Sequence, residues 1–234
     1  MRIVMMVLRN LFCVPGLFLR LLWLSHHYNG DYNPGFLQCK KIAAHAIKGG
    51  NIKAEIYNVD KLPKEDGFIL YPNHQGLFDT LMFFYSSPRP LAFVIKKEAK
   101  NIVLLKQAVE STGSLAMDRD DLRQSMHVIN QVADEVRQGR NYVIFAEGTR
   151  SKLGNRLLDF KGGSFKAAQK AKCPIVPCAL INAFVPFDEK SLRHVTVKLI
   201  YLDPIYYDEY KDMKTTEIAA EVKCRIEAAI AQYE

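Results

Sequence analysis

The sequence has few cysteines, and they are not arranged for metal or redox chemistry. The five of them, Cys13, Cys39, Cys173, Cys178 and Cys224, are scattered and odd in number. There is no Cys-x-x-Cys pair and no His/Cys cluster at zinc spacing, so the pattern points to reduced thiols in a cytosolic setting. Cys173 and Cys178 flank the apolar run Ile175-Val176-Pro177 and read as packing residues. Internal repeats and low-complexity segments are missing too. No Gly-x-Ser-x-Gly nucleophile elbow occurs, so a serine-esterase mechanism has no obvious nucleophile. Neither a helix-turn-helix nor an aromatic-basic platform is present, which leaves nucleic-acid binding resting on charge alone.

The chain has 234 residues, 49% apolar and 24% charged, the composition of a globular protein. That length can bury a sizeable core. The net charge is +7, from 32 Lys+Arg against 25 Asp+Glu. Such a balance suits an anionic membrane surface, a phosphorylated substrate or nucleic acid, and also an ordinary solvated basic surface.

The N-terminus lacks the uninterrupted apolar core of a signal peptide, and no small-residue cleavage site follows. Residues 3–24 are mostly apolar, but Arg9, Asn10, Arg20 and the Pro15-Gly16 pair interrupt them. Arginines that snorkel toward headgroups, with Trp23 and Tyr28 as interface anchors, predict a helix lying on a membrane. The alternative is a helix buried against the globular core. A second helix is expected from Pro34 to Lys48, capped by Asn33 and ended by Gly49-Gly50. Its Lys40, Lys41 and Lys48 would then lie toward headgroups. Residues 1–50 thus read as a two-helix membrane-associating hairpin and 51–234 as a catalytic domain.

From Asn51 onward short strands alternate with helices. Strands are expected at 52–57, 68–71, 91–95, 114–117, 142–146, 175–180 and 195–201. Helices are expected after His74, over 122–136 with Asp120 as cap, over 164–171 and over 215–232. This predicts an α/β fold with a mixed, largely parallel sheet flanked by helices. Pro177 predicts an edge or irregular position for its strand, because proline cannot donate to a ladder.

Chemistry in such sheets collects at the carboxyl ends of strands. One such end carries Asn73-His74-Gln75-Gly76-Leu77-Phe78-Asp79. With His74 in the turn and Asp79 in the first helical turn, the carboxylate can accept a hydrogen bond from one ring nitrogen. The other nitrogen is then free to take a proton. A helix cap beside a surface polar group is the plainer alternative. The strand 142–146 is followed by Glu147-Gly148-Thr149-Arg150-Ser151, and Phe160-Lys161-Gly162-Gly163 opens a helix farther on. Both suit an anion cradle, or simply a polar loop with a glycine turn. Gly113 to Arg119 is a strand ending in an arginine able to grip a phosphate, or to pair with Asp118, Asp120 or Asp121.

Taken in chain order, the stretches around His74, Arg119, Glu147 and Pro177 resemble the glycerolipid acyltransferases of the lysophosphatidic acid acyltransferase type. Asn73, His74 and Asp79 match that family's N-H-x4-D motif. Gly113 and Arg119 match its second motif, Glu147 to Ser151 its E-G-T-R-S motif, and Val176 to Ala179 its V-P-x-A-like motif. Ala116 departs from the large apolar or aromatic residue common there. The resemblance implies that His74 is the general base, oriented by Asp79. The hydroxyl of a lysophospholipid would attack the thioester of acyl-CoA or acyl-carrier protein, giving phosphatidic acid in phospholipid biosynthesis. Gly113, Arg119, Glu147, Gly148, Thr149 and Arg150 would bind the acceptor, with Lys96, Lys97 and Lys161 as further phosphate contacts. No metal and no cofactor beyond the acyl donor is implied. The expected location is monotopic, at the cytoplasmic face of the cell membrane. The alternatives are a glycerol 3-phosphate or other lysophospholipid acceptor, or a non-catalytic membrane lipid-binding protein.

Overall fold

The computed structural model describes residues 1–234, apart from the side chain of Asn101. Seven strands form one sheet: β1 (Ile52–Tyr57), β2 (Ile69–Pro72), β3 (Ala92–Lys96), β4 (Leu115–Met117), β5 (Tyr142–Ile144), β6 (Ile175–Ile181) and β7 (Val195–Tyr201). Their order is β1-β7-β6-β2-β5-β3-β4, and every pairing is parallel except β6 with β7. The helices are α1 (Arg2–Arg9), α2 (Val14–His26), α3 (Asn33–Gly49), α4 (Phe78–Ser86), α5 (Leu105–Ser111), α6 (Leu122–Arg137), α7 (Lys166–Ala171), α8 (Val185–Asp188), α9 (Tyr207–Tyr210) and α10 (Thr215–Tyr233).

Strand alternation divides the core in two. In β2, Ile69 and Tyr71 turn to one face, where Val128 and Val132 of α6 and Val222 and Ile226 of α10 meet them. Leu70, with Phe68 just before the strand, turns to the other, against Phe36 and Ala43 of α3 and Met82 and Phe83 of α4. A parallel sheet covered on both faces needs such continuously apolar strands, and all four residues of β2 are buried. The central position of β2 carries its outgoing turn to the middle of the sheet's carboxyl edge.

Several expectations change. Pro177 lies in an interior strand, since β6 runs between β7 and β2. It stands where β7 ends: the antiparallel register begins at Cys178 opposite Tyr201, and the Pro177 carbonyl accepts from the Leu202 N–H. The missing donor therefore falls beyond the ladder. The chain from 3 to 24 breaks at Asn10–Cys13, ahead of Pro15, which sits in the first turn of α2 and has no N–H to forfeit there. Asp31, not Asn33, serves the start of α3, accepting from the Asn33 N–H, and Asp121, not Asp120, caps α6. Lys40 reaches the Ser87 carbonyl at the end of α4 instead of facing outward, while Lys41 and Lys48 are exposed.

Among the described residues no single helix is long and apolar enough to cross a membrane; α1 and α2 meet at a bend of 98°. Arg2 fastens α1 by donating to the carbonyls of Gly50, Ser191 and Arg193. This pair and the turn between them expose Ile3, Val4, Val7, Leu8, Phe12 and Trp23. Leu21 is the buried residue of α2, which packs on α3 and α5. Leu21→Ala is expected to lower unfolding free energy by about 2–5 kcal/mol in denaturant titrations in detergent. A loss well under about 1 kcal/mol would mean that Leu21 does not fasten α2 to the core.

Candidate active site

The turn after β2 is held residue by residue. Asn73 is buried and pairs both ways with Leu180 of β6: Nδ2 donates to the carbonyl at 3.0 Å and Oδ1 accepts from the N–H at 2.7 Å. The His74 N–H donates to Glu147 Oε1 at 2.6 Å, and its carbonyl accepts from the Ser151 N–H at 2.9 Å. Gln75 Oε1 accepts from the Ala183 N–H at 2.7 Å, and its Nε2 donates to Asn155 Oδ1 at 2.8 Å. Strands on either side of β2 thus fix the backbone that carries His74.

Asp79 lies in the first turn of α4 with no exposed side-chain surface. Its Oδ2 accepts from His74 Nδ1 at 2.7 Å, from the Gln75 N–H at 2.7 Å and from the Gly76 N–H at 3.0 Å. Its Oδ1 is buried and has no hydrogen-bond partner among the described residues. A carboxylate can only accept here, so the Nδ1 that faces it carries the proton in the neutral ring. Nε2 then holds the lone pair, and among the described residues it has no hydrogen-bond partner. The His74 side chain is 20% exposed, and its ring lies against Phe145 with centroids 4.1 Å apart. The arrangement can remove a proton from a bound hydroxyl and stabilise the imidazolium that results. Burial pushes the Cys39 and Cys173 thiols up to about 12, so neither supplies a thiolate.

The other residues singled out in the sequence divide. Glu147 is buried, and its Oε2 accepts from the Leu158 N–H at 2.9 Å. Both its oxygens therefore serve backbone, one of them the N–H of His74. Burial raises its pKa, opposed by the two backbone N–H groups. Gly148 has φ +76°, and the Lys161 side chain lies across it. Thr149 is exposed. Arg150 lines a surface depression of about 400 Å³ with Gln75, Lys152, Gly154, Phe184 and Asp188.

Gly113 is not at this edge. It precedes β4 at the amino end of the sheet, with φ +56°, where a Cβ would strike the Tyr28 hydroxyl and Arg140; its glycine serves a turn and a close contact. Arg119 leaves the carboxyl end of β4, three strands or ~14 Å from β2. It is exposed, and Asp118 is taken by Lys97 at 2.9 Å. Lys96 pairs with Glu98 at 3.2 Å. These three cations stand on the β3–β4 side of His74, and Arg150 faces Phe184 and Asp188 beyond β6, so the structure does not bring Arg119 and Arg150 together. Among the described residues no three His, Cys, Asp or Glu side chains group as metal ligands.

A family model described as Acyltransferase matches residues 53–181, which includes this whole turn and the loop after β5. The chain belongs to the acyltransferase family. It is 29% identical over 172 residues to a 1-acyl-sn-glycerol-3-phosphate acyltransferase of Helicobacter pylori, covering 68% of this chain and 73% of that one. It is 30% identical over 167 residues to the 1-acyl-sn-glycerol-3-phosphate acyltransferase of Salmonella typhimurium, covering 71% and 68%. The crystal structure of the 1-acyl-sn-glycerophosphate (LPA) acyltransferase PlsC from Thermotoga maritima shares the fold, with a TM-score of 0.74 over 100% of both chains at 18% identity. For this acyltransferase, Asn73 stood in the N-H-x4-D match without its role, and Gln75 was open to notice as a polar neighbour of His74. Lys152, Asn155 and Asp188 had no signal in the sequence.

Glu147→Gln puts an NH2 against a backbone N–H. It is expected to cost about 1–3 kcal/mol of stability and to lower kcat through displacement of His74. Denaturation and steady-state kinetics check this; unchanged stability with a raised acceptor KM would return Glu147 to the substrate.

Proposed function

We propose that the enzyme transfers a fatty acyl group from acyl-CoA or acyl-carrier protein to the sn-2 hydroxyl of lysophosphatidic acid, giving phosphatidic acid. The observation that carries this reading is the fixed His74–Asp79 pair, with Nδ1 held at 2.7 Å and Nε2 open. His74 Nε2 takes the hydroxyl proton as the oxygen attacks the thioester carbonyl. The new ester C–O bond forms, the C–S bond breaks, and the thiolate leaves with the proton that His74 returns. Asp79 keeps the ring in the required tautomer and faces the imidazolium while it is charged.

Arg150 is the acceptor-phosphate ligand, supported by its place in the depression beside Gln75 and by the preference of guanidinium for phosphate. The exposed apolar side of α1 and α2 lies in the cytoplasmic face of the membrane, where lysophospholipid resides. The net charge of +7 favours an anionic surface.

The test is labelled acyl transfer to lysophosphatidic acid with both donors. His74→Ala is expected to lower kcat by about 10²–10⁴-fold while still sedimenting with anionic vesicles. Near-normal turnover in the variant would remove His74 as the base. No product from wild type with either donor would overturn the acceptor assignment.

A further inference from the structure

One charged side chain at the site has no task in this scheme. Asp188 ends α8, and its Oδ1 lies 3.6 Å from Arg150 Nη1. Its Oδ2 lies 3.7 Å from where a Cβ on Gly76 would stand, so the carboxylate hangs over the turn two residues beyond His74. A Cβ there would meet the carboxylate at ordinary contact distance and the Phe184 backbone more tightly, at 3.3 Å. Arg150 and Asp188 are 38% and 42% exposed. Their separation is longer than a hydrogen bond, and an ion pair so exposed to water is weak and readily exchanged.

The chain behind Asp188 is fixed, however. Arg2 donates to the Ser191 and Arg193 carbonyls at 2.7 and 3.0 Å, which anchors the backbone just after the residue that carries the carboxylate. The depression therefore presents two cations, Arg150 and Lys152, and one anion held loosely against the first. A phosphate monoester carries more negative charge than a carboxylate and engages a guanidinium with two oxygens, so it can take Arg150 from Asp188. The displaced carboxylate then stands beside it and repels it.

We propose that Asp188 is a competing counter-ion of the acceptor site: it neutralises Arg150 when the site is empty, and its return helps expel the phosphate-bearing product. Acceptor and product keep the same phosphate, so without this competitor a site tight for one would hold the other. The inference rests on the assignment of Arg150 to the acceptor phosphate.

Wild type, Asp188→Asn, Arg150→Ala and the double variant are compared in detergent micelles, with inorganic phosphate as a soluble competitor and the donor KM as internal reference. Asp188→Asn is expected to lower the acceptor KM and the phosphate inhibition constant about three- to tenfold, to strengthen product inhibition, and to lose this effect as salt rises. The effect disappears when Arg150 is alanine. An unchanged or raised acceptor KM overturns the proposal, as does a fall that persists without Arg150. If Arg150→Ala leaves the acceptor KM unchanged, the phosphate assignment itself fails. If Arg150→Ala raises it and Asp188→Asn does nothing, the counter-ion alone fails. Asp188→Ser repeats the test with a smaller side chain, and loss of folding in both variants would make the carboxylate structural and overturn the proposal.

Discussion

Asp79 is a carboxylate with no exposed side-chain surface, and burying one without replacement donors costs several kcal/mol. Three donors replace the water, and all come from residues 74–76: the His74 ring and the backbone N–H groups of Gln75 and Gly76. The need to satisfy one oxygen thus shapes the turn and selects the tautomer of the histidine within it. Removing any of these donors would leave charge buried, so the geometry that stabilises the fold is the same geometry that prepares the base.

The turn would still swing as a unit if its ends were loose. Asn73 locks it to β6, Glu147 locks it to the loop after β5, and Gln75 reaches both Ala183 and Asn155. Each of these polar groups is satisfied by backbone or amide from a neighbouring strand's exit, which only a parallel arrangement around a central β2 places at one edge. The parallel sheet is therefore a condition of the chemistry. Charge is distributed around this rigid centre on two sides: Lys96, Lys97 and Arg119 toward β4, Arg150 and Lys152 toward α8.

Much of this was legible in the residues. The alternation of short apolar runs with amphipathic stretches foretold the sheet, because strand and helix periods are local. His74 and Asp79 were legible as a pair because five residues span a turn and a helix start. What escaped was long-range. Glu147 reads as a substrate carboxylate until β5 is set beside β2, when its oxygens meet the N–H groups of His74 and Leu158. Gly113 and Arg119 form one motif in sequence, yet the three-residue strand between them sends them to opposite ends of the sheet. Pro177 reads as an edge signal until the end of β7 is located beside it. Asp188 stands in a short helix with no distinguishing neighbours and acquires meaning through its approach to Arg150 and to the turn at Gly76.

Asp79 holds His74 with its proton on Nδ1 and leaves the Nε2 lone pair free. Nitrogen-15 NMR of histidine-labelled enzyme, with the His74 signals assigned by their loss in a His74 variant, reads this directly. The account predicts a single neutral tautomer, Nδ1 protonated and Nε2 bare, in the unliganded enzyme. A ring protonated at Nε2, or one averaging between the two tautomers, would contradict it.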